Sequence, residues 1–102
     1  MKYKYSFDSL EWQEIGLGAK EKVQIIGDVE IRLLRLEYGF NEKDWCLKSH
    51  KAFVLKGELR IDFNGDFQSF KEGEGFIIES GENHKHKAII HKGGFAEILL
   101  MA

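Results

Sequence analysis

The stretch KGELRIDFNG, residues 56–65, alternates polar and apolar side chains and ends in Asn64-Gly65. Successive side chains of a strand point to opposite faces, so Leu59, Ile61 and Phe63 would share one face. An Asn-Gly pair favours the tight turn of a two-residue β-hairpin. The stretch therefore predicts a half-buried strand that turns back on itself at Asn64-Gly65.

Similar short segments flank this hairpin on both sides. The chain has no proline and 11 glycines, so Gly, Asn and Asp must form the turns. Between the turns lie segments that alternate or are continuously apolar, and none of them keeps a helical period. These segments are residues 23–26, 29–37, 52–55, 58–63, 76–79, 87–90 and 95–101. Short strands between frequent turns are typical of an all-β sandwich or barrel.

The N-terminal stretch, residues 2–7, alternates Lys and Ser with Tyr and Phe. This pattern suggests an extra strand at the edge of a sheet. An aromatic edge strand would pair with other chains if it were left uncovered. Pairing with a second subunit is one way to cover it, so we expect a homodimer, made either by exchange of this strand or face to face.

Length and composition limit the class of protein. The chain has 102 residues, which fits a single domain over residues 1–102, and 43% of them are hydrophobic. The single cysteine, Cys46, excludes an internal disulfide and makes a reducing, cytoplasmic location the natural expectation.

The net charge is -2, with lysines and glutamates interspersed, so we expect no nucleic-acid partner. No apolar run approaches the roughly 18 residues that span a membrane, so we expect no membrane partner either.

The stretch HKAFVLKGEL, residues 50–59, resembles the first motif of the cupin superfamily, G-x5-H-x-H-x3/4-E-x6-G. When Gly57 is placed on the last glycine of that motif, His50 takes the position of the glutamate. The segment Phe53-Val54-Leu55 then falls on the aromatic-Val-Leu that commonly precedes the glycine in this family.

The stretch GFIIESGENHKH, residues 75–86, resembles the second cupin motif, G-x5-P-x-G-x2-H-x3-N. Gly75 matches the first glycine and His86 matches the histidine. Gly81 replaces the proline, Asn83 replaces the second glycine and Ile90 replaces the final asparagine. The resemblance implies an antiparallel, jelly-roll β-barrel that is often dimeric, with its site inside the barrel mouth.

The paired histidines of the first cupin motif are absent from this chain. Their positions are occupied by Asp44 and Cys46, or by Lys43 and Trp45 at the alternative spacing. The family's site of three histidines and one glutamate therefore cannot be transferred to this sequence. The family resemblance leaves only His86, which matches in residue type, and His50, which matches in position.

The remaining polar residues define a candidate site. If residues 44–50 are extended, Asp44, Cys46, Lys48 and His50 share a face, and the same rule places His84 beside His86. One interpretation is a divalent transition metal (zinc, iron, copper or manganese) bound by His50, His86 and Cys46, with Asp44 or His84 completing the set. Imidazole nitrogen and thiolate sulfur are ligands that such ions accept.

The second interpretation is a metal-free pocket for a small polar or anionic molecule. It would use His50, His86, Lys48 and His84 as polar contacts, because a cation in a pocket can bind a carboxylate or phosphate. The aromatic and aliphatic side chains of Phe53, Phe76 and Ile78 are expected to line or support the cavity.

Three functions remain open for the sequence. They are a small-molecule-binding protein, a metal-dependent enzyme, which the cupin resemblance implies to be of oxygenase or isomerase type, and an inert structural or interaction barrel. Cys46 has two further interpretations, as a small buried hydrophobic residue or as a nucleophile activated by His50. None of these alternatives identifies a ligand or a reaction.

Overall fold

The computed structural model describes residues 3–40 and 42–101. In this part of the chain there are eight strands and one short 3-10 helix, Glu82–His84. The strands are β1 (Gln13–Gly16), β2 (Ala19–Ile26), β3 (Val29–Glu37), β4 (His50–Phe63), β5 (Asp66–Lys71), β6 (Gly75–Ile78), β7 (Lys87–Ile89) and β8 (Phe95–Met101). None of the residues described belongs to a helix that is long and apolar enough to cross a membrane.

The strands pair in the order β1-β2-β3-β8-β4-β5, and every pairing is antiparallel. Strands β6 and β7 also pair with β4. The 14-residue β4 pairs with β6 and β8 along its first half and with β5 and β7 along its second half. It thus joins two sheets, and the expectation of an all-β antiparallel barrel is confirmed.

Strand β4 passes from one sheet to the other next to Gly57. The pairing of β4 with β8 shifts register between Val54 and Lys56, and Gly57 follows with a φ of +79°. A Cβ atom at Gly57 would collide with the backbone carbonyl of Phe95. Only glycine tolerates both the positive φ and this close approach, which explains the glycine of the first sequence motif.

The hairpin predicted from KGELRIDFNG is confirmed. Phe63 pairs with Asp66, and the two turn residues Asn64 and Gly65 have φ values of 59° and 103°. Positive φ at both central positions is the requirement of the type I′ turn, which matches the twist of the flanking strands. The Asp62 carboxylate also accepts the backbone N–H of Gly65 at 2.7 Å.

The core lies between the inner faces of the strands. Its buried residues are Ala19, Leu36, Leu59, Ile61, Ile78, Ile90, Ala96 and Ile98. Burial of each large aliphatic side chain stabilises the fold by about 1.5–3 kcal/mol. Partly buried residues that pack against this cluster include Phe63, as expected from the alternation in β4.

The N-terminal edge strand predicted over residues 2–7 is wrong for the described part, Tyr3–Phe7, which forms no strand; Lys2 lies outside the described residues. The segment instead follows β2, where the side chains of Gln24 and Lys22 donate to the carbonyls of Ser6 and Phe7 at 2.8 and 3.3 Å. Its carbonyls are thus bound by side chains rather than by the backbone N–H groups of a sheet edge. The homodimer stays a prediction.

Candidate metal and ligand site

A cavity of about 260 Å³ lies inside the barrel. Its apolar lining, which we call the cavity floor, includes Leu34, Leu36, Leu59, Ile61, Phe76 and Ile98. Its polar lining consists of Arg32, Glu42, Cys46, Lys48, His50 and His86. The volume is just below the usual range for ligand pockets, roughly 300–1,000 Å³, so the space suits a small molecule.

The segment before β4 contributes Cys46 to this cavity through the backbone. Residues 42–49 form no regular strand, but Cys46 makes an isolated antiparallel bridge with His86. The Cys46 N–H donates to the His86 carbonyl at 2.9 Å, and the His86 N–H donates to the Cys46 carbonyl at 3.1 Å. Residues directly opposite in an antiparallel pair have side chains on the same face, so the thiol and the imidazole lie together.

The first residue of β4, His50, completes a cluster with this pair. Its Nε2 atom lies 3.5 Å from the Sγ atom of Cys46, and its ring meets the His86 ring edge-on with centroids 5.1 Å apart. One ligand atom from each of Cys46, His50 and His86 lies within 4.8 Å of the others. The structure therefore brings together the three residues that the sequence offered as metal ligands, which we call the Cys-His-His cluster.

The imidazole of His86 is fixed in one orientation. Its ring is only 4% exposed, and its Nδ1 atom lies 3.0 Å from the carbonyl oxygen of His84. A carbonyl only accepts hydrogen bonds, so this contact assigns the proton to Nδ1 and leaves a lone pair on Nε2. The Nε2 atom is buried and has no hydrogen-bond partner among the described residues.

The environment of His50 favours its neutral form. Burial is the largest cause that lowers the pKa of His50 below its usual 6.5, and repulsion from His86 (when its ring is protonated), from Lys48 and from Arg32 lowers it further. Desolvation and neighbouring cations both disfavour an imidazolium ion. At neutral pH His50 therefore offers a lone pair, as a metal ligand must.

A transition-metal ion fits this donor set. Buried polar atoms are nearly always satisfied, and the unpaired Nε2 of His86 beside a thiol and a second imidazole is the exception that an ion would satisfy. The bond from Nδ1 to a backbone carbonyl is also the usual support of a metal-binding histidine. Cys46, His50 and His86 would hold the ion.

His84 lies apart from the Cys-His-His cluster, so the expectation that it shares a face with His86 is wrong. Residues 82–84 form a 3-10 helix, in which side chains do not alternate as in a strand. The exposed imidazole of His84 lies 3.5 Å from the Glu79 carboxylate and lines a neighbouring surface groove. Its backbone carbonyl, rather than its side chain, takes part in the site.

The other predicted site residues are divided between the cavity and the surface. Lys48 is exposed but lines the cavity at its rim, whereas Asp44 is exposed at a bend and lies outside the Cys-His-His cluster. The chain is bent at both residues, so the extended geometry assumed for residues 44–50 is not found.

Two of the three predicted supporting side chains lie inside the barrel. Phe76 lines the cavity and Ile78 is buried in the core, but Phe53 is 45% exposed on the outer face of the sheet. The expectation that Phe53 lines the cavity is therefore wrong. Its neighbours Ala52 and Val54 are turned inward, and the alternation of the strand turns Phe53 outward.

The sequence interpretation missed Glu42. Its Oε1 atom accepts the backbone N–H of Ala88 at 2.9 Å, and its carboxyl lines the cavity. Burial raises the pKa of Glu42 above 4.5, although the Ala88 bond and the nearby His86 and Lys87 oppose this rise. The sequence did contain a signal for Glu42, because it begins a series of polar residues at alternate positions: Glu42, Asp44, Cys46, Lys48 and His50.

The sequence interpretation also missed Arg32, which projects from β3 into the cavity. Its Nε and Nη2 atoms lie 3.0 and 3.1 Å from the carboxylates of Glu21 and Glu30. The signal for Arg32 was its position as a charged residue inside the largely apolar segment 29–37. A charge on the inner face of a strand needs a partner or a ligand.

No protein-family model matches the sequence, and no curated protein is significantly similar to it. Solved structures do match. KdgF from Halomonas sp. is 14% identical with a TM-score of 0.79, over 99% of this chain and 93% of that one. The polyketide cyclase RemF from Streptomyces resistomycificus is 16% identical with a TM-score of 0.81, over 100% of this chain and 79% of that one. An RmlC-like cupin from Shewanella frigidimarina is 16% identical with a TM-score of 0.72, over 99% and 91% of the two chains. These likenesses show the fold.

Proposed function

Because this chain has the cupin fold, we propose that it binds a small polar molecule inside its barrel, at a transition-metal ion held by Cys46, His50 and His86. The observation that carries the proposal is the buried Nε2 atom of His86, which has no partner among the described residues. This atom lies in a cluster with a thiol and a second imidazole, and its own ring is fixed by the His84 carbonyl.

The donor set favours some ions over others. One sulfur and two nitrogens suit zinc, copper or iron, whereas manganese prefers oxygen ligands. Three protein ligands leave a position for a small molecule, as in catalytic rather than structural zinc sites. When bound, such an ion polarises a coordinated oxygen or lowers the pKa of a bound water.

The residues around the Cys-His-His cluster prepare the site for a ligand. The lowered pKa of His50 favours its unprotonated ring near neutral pH, and the His84 carbonyl holds the His86 ring in the orientation that leaves its buried Nε2 without a partner among the described residues. The apolar floor, which includes Leu59 and Ile61, offers water no hydrogen-bond partners. A low-dielectric lining strengthens the polar contacts made in the same cavity.

A metal-dependent enzyme is the second candidate function, and Glu42 is the observation that favours it. Its carboxyl lines the same cavity, and burial moves its pKa toward the operating range of a general acid or base. Among the similar structures, RemF is named as a cyclase, which supports the candidate by analogy of fold alone.

Elemental analysis and cobalt substitution test the metal proposal. We expect close to one equivalent of zinc, iron or copper after reconstitution of the purified protein. Cobalt(II) should give an intense sulfur-to-metal absorption band in the near ultraviolet. Because Cys46→Ser removes the sulfur, it should abolish that band and weaken metal binding by more than about 100-fold, since even the loss of an outer partner costs about 10–100-fold.

The matched control is His84→Ala, which removes an imidazole of the same chemistry outside the Cys-His-His cluster. It should retain metal and the cobalt band, whereas the double variant His50→Ala/His86→Ala should lose both. Circular dichroism of each variant shows whether the barrel is still folded. A folded wild-type protein that binds none of these ions after reconstitution would contradict the proposal, as would equal loss of metal in the control.

A further inference from the structure

The cavity has two cationic side chains near His50. Arg32, Lys48 and His50 all line this cavity, and the two cations come from separate parts of the chain, β3 and the segment before β4.

The strand pairing explains why Arg32 faces His50. Arg32 in β3 lies opposite Leu100 in β8, and Leu100 lies opposite Ala52 in β4. Ala52 is two residues after His50 and therefore on the same face of β4. The row of paired residues thus crosses the inner face of the sheet and ends beside His50.

The guanidinium of Arg32 has spare hydrogen-bonding capacity. Its Nη2 atom donates to Glu30 at 3.1 Å, while its buried Nε atom lies 3.0 Å from Glu21 without the alignment of a hydrogen bond. Arginine carries five N–H donors in a planar fork that matches a carboxylate. Glu21 and Glu30 therefore hold Arg32 in position but do not saturate it.

Lys48 adds a charge that is not paired inside the protein. It lies at the rim of the cavity and makes no ion pair with any residue that the structure describes. Most of the residues that line the cavity are apolar, and the whole space is about 260 Å³. A ligand that satisfies this cavity is small, has one anionic end and has a short apolar body.

We infer that the ligand class of this site is a small organic carboxylate, with the carboxylate beside His50 between Arg32 and Lys48 and the apolar body on the cavity floor. The inference rests on the proposed function and names the substrate class of the same site. An inorganic anion shares the charge but cannot fill the apolar floor.

Isothermal titration of the zinc-loaded protein tests this inference with three probes: butyrate, its neutral isostere butyramide, and inorganic phosphate. Butyrate should bind at least about tenfold more tightly than butyramide, because only the anion uses the two cations. Butyrate should also bind more tightly than phosphate, which gains nothing from the apolar floor.

Two variants show whether the cations cause the preference. Lys48→Gln should reduce the preference for butyrate over butyramide by about two- to fivefold, the usual effect of one exposed charge. The matched control is Lys51→Gln, which makes the same charge change on the outer face of β4 and should leave the preference unchanged. The double variant Arg32→Gln/Glu21→Gln removes a charged pair without leaving one partner buried, and should reduce the preference further.

The outcomes separate this inference from the proposed function. If zinc binds but butyrate and butyramide bind equally, the carboxylate inference is overturned and the metal proposal stands. An unchanged preference in Lys48→Gln and in the double variant also overturns it, because the metal alone would then select the anion. If no metal binds, the metal proposal fails. A butyrate preference that Lys48→Gln reduces in that metal-free protein would still support the carboxylate pocket.

Discussion

Cys46 and His86 donate their backbone N–H groups to each other's carbonyls, at 2.9 and 3.1 Å, in a bridge that belongs to no regular strand. Together with the bond from the Gly81 N–H to the Leu47 carbonyl at 2.9 Å, this pair holds the loop before β4 against the segment before β7. It places a thiol and a buried imidazole on the same side of the backbone, within ligand distance of His50. The candidate site therefore depends on long-range backbone contacts.

The tautomer of His86 is the first testable consequence. Since Nδ1 faces the His84 carbonyl, the proton should reside on Nδ1 in the metal-free protein at neutral pH. Long-range ¹H–¹⁵N correlation spectra distinguish the two ring nitrogens and should show Nδ1 protonated and Nε2 unprotonated. Zinc should then shift the Nε2 resonance and leave Nδ1 protonated. Protonation of Nε2 in the metal-free protein would contradict the assigned geometry.

His50 should make the metal-free barrel less stable in mild acid. Its folded-state pKa lies below 6.5, so the unfolded chain binds a proton first as the pH falls. The free energy of unfolding should therefore decrease from about pH 7 down to the lowered pKa, and His50→Gln should remove this part of the decrease. Urea denaturation in the presence of a chelator, at pH 7.5, 6.5 and 5.5, measures it.

The control for this experiment is His91→Gln, because His91 is exposed and lies outside the Cys-His-His cluster. It should leave the pH dependence of the wild type unchanged. If His50→Gln keeps the full wild-type decrease between pH 7.5 and 5.5, His50 is not the group responsible.

Glu42 should make the stability of the barrel depend on pH in the opposite direction from His50. Burial raises its pKa above 4.5, so the folded chain takes up a proton before the unfolded chain does. The charged carboxylate therefore destabilises the fold near pH 7, and this cost disappears as the pH falls through the raised pKa. Glu42→Gln keeps an oxygen that can accept from Ala88, so it should be more stable than the wild type at pH 7.

The gain in stability of Glu42→Gln over the wild type should shrink as the pH falls from 7 toward 4.5. Thermal denaturation of both proteins across this pH range measures it. Glu37→Gln is a control of opposite sign, because a hydrogen bond from Arg35 holds the pKa of the exposed Glu37 below 4.5. The Glu37 variant should gain nothing at pH 7. A Glu42 variant that is less stable than the wild type at pH 7 would show that the charged carboxylate is favourable there.

Gly57 should be the least replaceable glycine of the barrel. In Gly57→Ala the methyl group collides with the Phe95 carbonyl, and the residue must also keep a φ of +79°. The positive φ alone costs about 1–2 kcal/mol, and the collision should raise the total loss of stability above about 3 kcal/mol. Gly73→Ala is the matched control, because its φ is +89° and its Cβ would meet no atom within 4 Å.

Chemical denaturation of the two glycine variants measures the difference. The Gly73 variant should lose only the stability that an alanine with a positive φ costs. The Gly57 variant should unfold at a much lower denaturant concentration or fail to fold. Equal losses in the two variants would mean that the contact with Phe95 does not constrain β4.

The sequence by itself determined the features of this protein that local physics controls. The alternation in residues 58–63 and the Asn64-Gly65 pair specify the hairpin, because side-chain direction and turn type depend only on neighbouring residues. The motif glycines marked two close backbone contacts, at Phe95 for Gly57 and at the Ala52 carbonyl, 2.7 Å from a Cβ built on Gly75. Strand and turn patterns predicted an all-β sandwich or barrel, and the resemblance to the cupin motifs implied the barrel.

Only the tertiary structure decided which polar side chains face one another. Alternation fixes a side chain's direction within a strand, but each bend or 3-10 turn breaks it, as at Asp44, Lys48 and residues 82–84. His84 therefore leaves the site. Arg32 and Glu42 enter it from segments far apart in the chain. The cavity is formed by long-range pairing of β3, β4 and β8 and by the Cys46–His86 bridge, whose partners no local pattern specifies.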